Sequence, residues 1–92
     1  MIYKFILNQE TYTLIKTGKV VKWLDLQWQD GNLVIWAIVD TEDECAYLIV
    51  PFWTGQSIEN IPSKEVAYLG TIQQDDLVWH YFAYEVEDDG SL

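Results

Sequence analysis

Side chains able to do chemistry are few in this sequence, and their spacing does not match a catalytic pattern. His80 is the only histidine and Cys45 the only cysteine. A cysteine nucleophile needs a base and an orienting group around it, whereas the acidic residues just before Cys45 favour a raised thiol pKa. The sequence therefore predicts no catalytic residue, and we interpret His80 as a strand histidine hydrogen-bonded to a neighbour.

Metal and cofactor sites are not indicated either. Four carboxylates lie close together in the chain, namely Asp40, Glu42, Asp43 and Glu44. They lack the glycine and the ligand spacing of a calcium loop, and one histidine with one cysteine is too few for zinc. Asp75 and Asp76 alternate across an extended chain, which disfavours a glycosidase-like pair. We expect a solvated acidic turn at Thr41 to Glu44, with no metal and no cofactor.

Aromatic residues are the stronger candidates for function, because the chain holds five tryptophans, six tyrosines and three phenylalanines. Alternation along one predicted strand gives two faces: Leu24, Leu26 and Trp28 toward the core, and Trp23, Asp25 and Gln27 on the other side. The second face mixes aromatic and polar groups as interface hot spots do. Together with Asp40, Glu42, Asp43 and Glu44 it is the predicted partner-binding surface. A second sheet packing over this face is the alternative.

A second candidate site lies at Trp53, Thr54 and Gly55. A glycine beside aromatic residues can form a backbone nest for an anion or a floor on which a base stacks. Such a site would take a small nucleotide ligand. The alternative interpretation is a turn that ends a strand.

The charge is strongly acidic and unevenly placed. The formal net charge is −10, and the sequence contains no arginine. The first 22 residues hold four lysines against one carboxylate, and the rest hold one lysine against 14 carboxylates. Direct binding of nucleic acid is not expected, because phosphate contacts need clustered Lys and Arg. An acidic surface suits a basic groove that normally holds nucleic acid, although acidity also keeps a Trp-rich protein soluble.

Period-two alternation dominates the chain and predicts an all-β fold. The expected architecture is a small single-domain antiparallel sandwich or partly open barrel of about seven short strands, with at most one helical turn. The strands are predicted at Ile2 to Leu7, Thr11 to Ile15, Val20 to Trp28, Leu33 to Asp40, Ala46 to Phe52, Glu65 to Gln73 and Leu77 to Val86. Residues 1–86 form the β domain, and residues 87–92 form an acidic flexible tail.

Turn signals separate the predicted strands. Asp30-Gly31 supplies the positive φ values of a tight hairpin turn. Thr17-Gly18, Thr41 to Glu44 and Asp75-Asp76 predict further connections, and the helical turn is placed between Thr54 and Lys64.

The sequence also carries expectations about location. No apolar run approaches the roughly 20 residues needed to cross a bilayer, and the start lacks the layout of a signal peptide. A single cysteine agrees with a reducing compartment. We expect a cytoplasmic protein without membrane contact.

Several motifs occur in a fixed order along most of the chain: Ile2-Tyr3-Lys4, Gln27-Trp28-Gln29-Asp30-Gly31, Trp36-Ala37-Ile38-Val39-Asp40, Thr54-Gly55, Tyr68-Leu69-Gly70-Thr71 and Val78-Trp79-His80-Tyr81-Phe82. In this order they resemble a family of short phage and prophage proteins of uncharacterised function. The chain departs from that family at Gln56-Ser57, where His-Pro is usual, and in its acidic tail. The resemblance implies a small viral protein made inside a bacterial cell, and it carries over no catalytic residues.

The predicted function is a non-enzymatic inhibitor of bacterial immunity. The aromatic and acidic surface would occupy a basic groove of a host defence protein, such as a CRISPR effector, sterically or by mimicking nucleic acid. Two alternatives stay open. One is an oligomeric sponge that sequesters a nucleotide-derived immune signal at Trp53, Thr54 and Gly55. The other is a minor virion or assembly component that packs into homo-oligomers.

Overall fold

A computed structural model describes residues 1–57 and 66–87 of the chain, which form one curled antiparallel sheet. Its strands are β1 (Ile2–Ile6), β2 (Thr13–Gln29), β3 (Asn32–Trp53), β4 (Val66–Gln74) and β5 (Leu77–Val86). The all-β prediction is confirmed, and the curled sheet is a half-barrel. The prediction of about seven strands is wrong, because five are present in the described ranges.

The long strand β3 is the one on which the rest of the sheet is built. β2 pairs along most of its length, as far as Thr13 opposite Ile49. On the other side of β3, β1 pairs with its first part and β5 with its second part, and β4 extends the sheet beyond β5. The sheet then curls until β2 contacts β4, where Gly70 lies against Leu26.

The second and third predicted strands are parts of the single strand β2, and the fourth and fifth are parts of β3. The turn predicted at Thr17-Gly18 lies inside β2, and the acidic turn predicted at Thr41–Glu44 lies inside β3, so both turn predictions are wrong. The strand register sets the four residues Thr41–Glu44 opposite the single Gly18. A Cβ added at Gly18 would lie 2.1 Å from the carbonyl oxygen of Asp40. Glycine therefore lets the two backbones approach closely, and both strands bend without leaving the sheet.

The tight hairpin between β2 and β3 is confirmed. Asp30 and Gly31 have φ angles of 50° and 83°, as a two-residue turn with both central residues left-handed requires. The predicted connection at Asp75-Asp76 is also confirmed, because these two residues join β4 to β5 and Asp75 has a φ of 54°.

The core lies on one side of the curled sheet, and we call the opposite side the outer side. The buried cluster of the core consists of Leu7, Ile15, Leu26, Leu33, Ile35, Tyr47, Ile49, Tyr81 and Ala83. Trp79 packs against this cluster. Each fully buried Leu or Ile side chain contributes roughly 1.5–3 kcal/mol of burial free energy. Such packing, rather than a disulfide, stabilises the fold, because the chain has one cysteine.

Some predictions fall on residues 58–65 and 88–92, which lie outside the described residues. They are the start of the sixth predicted strand at Glu65, most of the segment predicted to hold a helical turn, and all but the first residue of the acidic tail. Across the described part of the chain there is no helix of the length and apolarity that a bilayer span requires.

The close approach at Gly18 gives a direct test of the continuous strands. Gly18→Ala should lower the free energy of unfolding by about 3 kcal/mol, because the new methyl group must push two paired strands apart. Urea unfolding measures this loss. Thr41→Ala, an exposed position of β3, is the control and should change stability by less than about 0.5 kcal/mol. Similarly small losses in both variants would contradict the bend.

Candidate functional site

Bulges in β2 decide which of its side chains face the core. Register shifts fall between Thr17 and Lys19, between Val20 and Lys22, and between Trp23 and Asp25. Each of the last two adds one residue to β2, so the side chains that pack on the core, Val20, Trp23 and Leu26, are spaced by three instead of two. Leu24, which alternation predicts in the core, lies at the third shift and is 41% exposed. Trp28 is on the side of Leu26, as predicted, opposite the buried Leu33, but it is 40% exposed.

The predicted stripe of Trp23, Asp25 and Gln27 is therefore wrong in one member. Trp23 lies on the core side, with its ring 5.4 Å from that of Tyr47 in an edge-to-face contact. Asp25 and Gln27 are exposed, and the Gln27 amide donates to the Asp25 carboxylate. Trp36 of β3 lies opposite Asp25 in the register. An aromatic and polar surface is thus present on the outer side, but its tryptophan is Trp36.

The surroundings of Trp36 are not purely acidic. Lys4 of β1 is the register partner of Trp36 on its other side, and its ammonium group donates to Gln29 Oε1 at 2.9 Å. Lys22 is the β2 partner of Ile38, in the neighbouring row. The carboxylates that could attract a basic partner are concentrated instead at Asp40, Glu42, Asp43 and Glu44.

Replacing Trp23 and Leu24 separately tests which of these two side chains of β2 faces the core. Trp23→Gln should lower the free energy of unfolding by about 2–4 kcal/mol, because it removes a ring packed on the core. Leu24→Gln should change it by less than about 0.5 kcal/mol, since this side chain is at an exposed bulge. Chemical unfolding followed by circular dichroism compares the two. A larger loss of stability in Leu24→Gln than in Trp23→Gln would contradict the bulges and support regular alternation along β2.

The acidic bulge, Thr41–Glu44, is the main concentration of charge on the described surface. All four residues are exposed, and so is Asp40. The Asp40 carboxylate accepts a hydrogen bond from the Glu42 amide at 3.0 Å, which orders the start of the bulge. Asp43 and Glu44 line an open groove of about 710 Å³.

This groove lies between the acidic bulge and the core side of β1. It is lined by Tyr3, Phe5, Lys16, Thr17, Gly18, Thr41, Asp43, Glu44 and Cys45. The rings of Tyr3 and Phe5 lie edge to face at 6.3 Å. Carboxylates beside aromatic rings are a combination that attracts cationic groups. Sequence reasoning missed Tyr3 and Phe5 as site residues, although alternation within Ile2–Ile6 places them on one face.

A polar cluster behind the groove ties the bend to β5. Lys19 Nζ and Glu85 Oε1 form an ion pair at 2.6 Å. The Tyr47 hydroxyl lies 3.4 Å from the same carboxylate oxygen and accepts a hydrogen bond from the Val20 amide at 2.8 Å. Burial raises the pKa of the Cys45 thiol, and the Glu85 carboxylate raises it further. The thiol is therefore poorly suited to be a nucleophile.

The Lys19 ion pair should make stability depend on pH. The hydrogen bond from Lys19 holds the pKa of Glu85 below its ordinary value. A depressed carboxyl pKa stabilises the fold above the unfolded-state pKa, and this contribution is lost as the pH falls through the folded-state pKa.

Glu85→Gln should therefore lose less stability on acidification than the wild type. The difference between roughly pH 6 and pH 3 should stay below about 1 kcal/mol, because the two side chains are 41% and 37% exposed. Urea unfolding across this range measures it. Glu87→Gln, an exposed position, should follow the wild type. Parallel curves for the wild type and Glu85→Gln would show that the pair does not contribute.

His80 lies between two hydroxyl groups on the outer side of β5. Thr54 Oγ1 is 2.8 Å from its Nε2 atom, and Thr71 Oγ1 is 2.9 Å from its Nδ1 atom. The Thr71 hydroxyl also hydrogen-bonds to the Tyr68 hydroxyl. The prediction of a strand histidine hydrogen-bonded to a neighbour is confirmed. Both partners of the His80 ring are hydroxyl groups. The arrangement therefore differs from that of a hydrolase, in which a carboxylate orients the histidine.

The second candidate site, Trp53, Thr54 and Gly55, forms the turn that ends β3. Trp53 is 49% exposed, and its ring meets that of Trp79 edge to face at 5.9 Å. The Trp53 amide donates to Gln56 Oε1 at 3.1 Å, and Gly55 has a φ of 90°. Because this amide already has a partner, the turn does not present it to an anion.

Within the two described ranges, no three His, Cys, Asp or Glu side chains converge as metal ligands do. The fold and the groove define a small antiparallel half-barrel protein with an acidic, aromatic groove at the bend of its longest strand. The chain belongs to the family described as Domain of unknown function (DUF7352), whose model matches residues 1–90. Neither a curated protein nor a solved structure matches the chain.

Proposed function

We propose that this chain is a phage- or prophage-encoded, non-enzymatic binding protein that inhibits a bacterial defence system by occupying a basic surface of a host protein. The observation that carries the proposal is the groove, which Asp43 and Glu44 line together with the aromatic pair Tyr3 and Phe5. Carboxylates steer a basic partner, while aromatic rings supply rigid area for close contact.

Charge supports this mode of binding. The chain has a formal charge of −10, and the acidic bulge presents Glu42, Asp43 and Glu44 to solvent. Opposite potentials accelerate association and select a basic partner. A surface that normally holds nucleic acid is such a partner, so the bulge would compete with phosphate groups.

Origin and location are part of the same proposal. The motif order shared with short phage and prophage proteins supports synthesis inside a bacterial cell, and hence action in its cytoplasm. A non-enzymatic role is supported by the raised pKa of Cys45 and by the hydroxyl partners of His80. Binding, rather than turnover, is the activity that these residues favour.

The nucleotide-sponge alternative is less well supported. It relies on Trp53, Thr54 and Gly55, where the Thr54 hydroxyl is hydrogen-bonded to His80. The sequence contains no arginine, so the bidentate guanidinium contact with a phosphate group is not available. We therefore place the principal site at the groove.

Charge reversal in the groove tests the proposal. The protein is first used to capture its partner from infected host cells, and the partner is identified by mass spectrometry. Calorimetry with the purified partner should then show that Asp43→Lys with Glu44→Lys weakens binding by roughly tenfold or more at low salt. Wild-type binding should weaken as salt rises, because salt screens the attraction. Phage protection should fall in parallel in a plaque assay.

The matched control is Glu10→Lys with Asp76→Lys. These exposed positions make the same change in net charge but do not line the groove. This variant should retain most of the affinity. A captured partner without a basic surface, or equal affinity losses in the two double variants, would contradict the proposal.

A further inference from the structure

A second cleft lies between the loop that follows β1 and the turn that joins β4 to β5, and we call it the end cleft. It has a volume of about 630 Å³, and residues 7–10 and residues 74–79 contribute its lining. Among the described residues, none lines both the end cleft and the groove. Small-ligand sites typically have volumes of roughly 300–1,000 Å³, and some lie in the mouths of β-barrels. The end cleft is therefore a further candidate site, separate from the groove.

The apolar part of the end cleft is formed mainly by Trp79 and Leu77. Trp79 is half-buried and packs on the buried cluster of the core. Its ring meets that of Trp53 edge to face at 5.9 Å. Leu77 and Trp53 are 53% and 49% exposed. An indole ring that is held by the core and still borders an open cleft offers a rigid apolar surface to a ligand.

Polar side chains border this apolar surface from both sides of the cleft. Asn8, Gln9 and Glu10 lie in the loop after β1, and Gln74 and Asp75 lie at the end of β4 and in its turn. All five are exposed. Three of them are primary amides, which both donate and accept hydrogen bonds, and two are carboxylates, which accept.

Hydrogen bonds order the loop after β1. The Asn8 backbone amide donates to Thr13 Oγ1 at 2.7 Å, and Asn8 Oδ1 accepts from the Glu10 backbone amide at 2.9 Å. The Gln9 side chain donates to the Gly31 carbonyl oxygen at 3.2 Å. The loop is thus held in place before a ligand arrives, which lowers the entropic cost of binding.

The side chains across the cleft are open to a ligand. Neither Gln74 nor Asp75 has a side-chain hydrogen bond to another described residue. The Asn8 Nδ2 group also has no partner within the described ranges. The cleft therefore presents both donors and acceptors that the fold itself does not use.

These groups select the chemical class of the ligand. No lysine of the described residues lines the end cleft, and its two carboxylates repel an anion. A cation such as lysine carries only donors, so it would pair with the carboxylates and leave the amide donors unused. A sugar hydroxyl donates and accepts, so it can pair with amides and carboxylates alike. The C–H face of a sugar ring also supplies the apolar surface that an indole ring needs.

We infer that the end cleft binds a neutral saccharide. One sugar ring stacks on Trp79, and its hydroxyl groups exchange hydrogen bonds with Asn8, Gln74 and Asp75. This site goes beyond the proposed function, because it requires neither the acidic bulge nor a basic partner.

Titration of the whole chain with uncharged oligosaccharides tests the site. The probes are short oligomers of glucose, mannose, galactose and N-acetylglucosamine, each used up to millimolar concentration. At least one should bind in calorimetry and shift the indole N–H signal of Trp79 in the nuclear magnetic resonance spectrum. Added salt should leave this binding unchanged, because the ligand carries no charge to be screened.

Variants at exposed positions locate the binding. Gln74→Ala and Asp75→Asn should each weaken it by roughly tenfold, because each removes a hydrogen-bonding group. Asn tolerates the left-handed conformation of Asp75, whose φ is 54°, so the thermal unfolding curve should not change. Gln73→Ala and Asp76→Asn are the matched controls, because these exposed neighbours undergo the same chemical changes outside the cleft. Both should bind like the wild type.

Four results would overturn the saccharide site. They are the absence of binding by every sugar in the panel, binding that leaves the Trp79 signal unmoved, equal losses in the variants and their matched controls, and binding of free lysine but of no sugar. The groove variant Asp43→Lys with Glu44→Lys should bind the sugar like the wild type. Failure of this site is therefore distinguishable from failure of the proposed function.

Discussion

The structure depends on the close approach of two backbones at Gly18. There the carbonyl oxygen of Asp40 occupies the space that a side chain would need. Because the strands can touch at this point, β2 and β3 run on as one long pair, and β3 offers partners to β1 before the bend and to β5 after it. At the same bend Thr41–Glu44 forms a bulge within β3. Fold and groove therefore share one local cause.

The sheet also separates charge from apolar surface. The carboxylates at the bend lie beside the groove, whereas the rows around Phe82 on the outer side of β5 contain none. The Lys19–Glu85 ion pair joins β2 at the bend to β5.

Structural features that depend only on neighbouring residues were predictable from the sequence. Features that depend on which strands pair were not. Asp30-Gly31 specifies its own backbone conformation, so the hairpin was predicted correctly. A glycine or an acidic run has the same composition in a turn and in a bulge, and only the paired strand decides between them. For this reason Thr17-Gly18 and Thr41–Glu44 were wrongly predicted as turns. The bulges turned Trp23 onto the core side. Tyr3 and Asp43 line one groove only because strands distant in sequence pair with each other.

The irregular register of β2 has a consequence for the behaviour of the protein at high concentration. Within the described residues β2 pairs with β3 alone, so it is a 17-residue edge strand. A long, flat edge invites other chains to add strands and grow into aggregates. Three register shifts interrupt this edge, and Lys16, Lys19 and Lys22 lie along it. The bulges that bend the sheet thus also protect it from uncontrolled polymerisation.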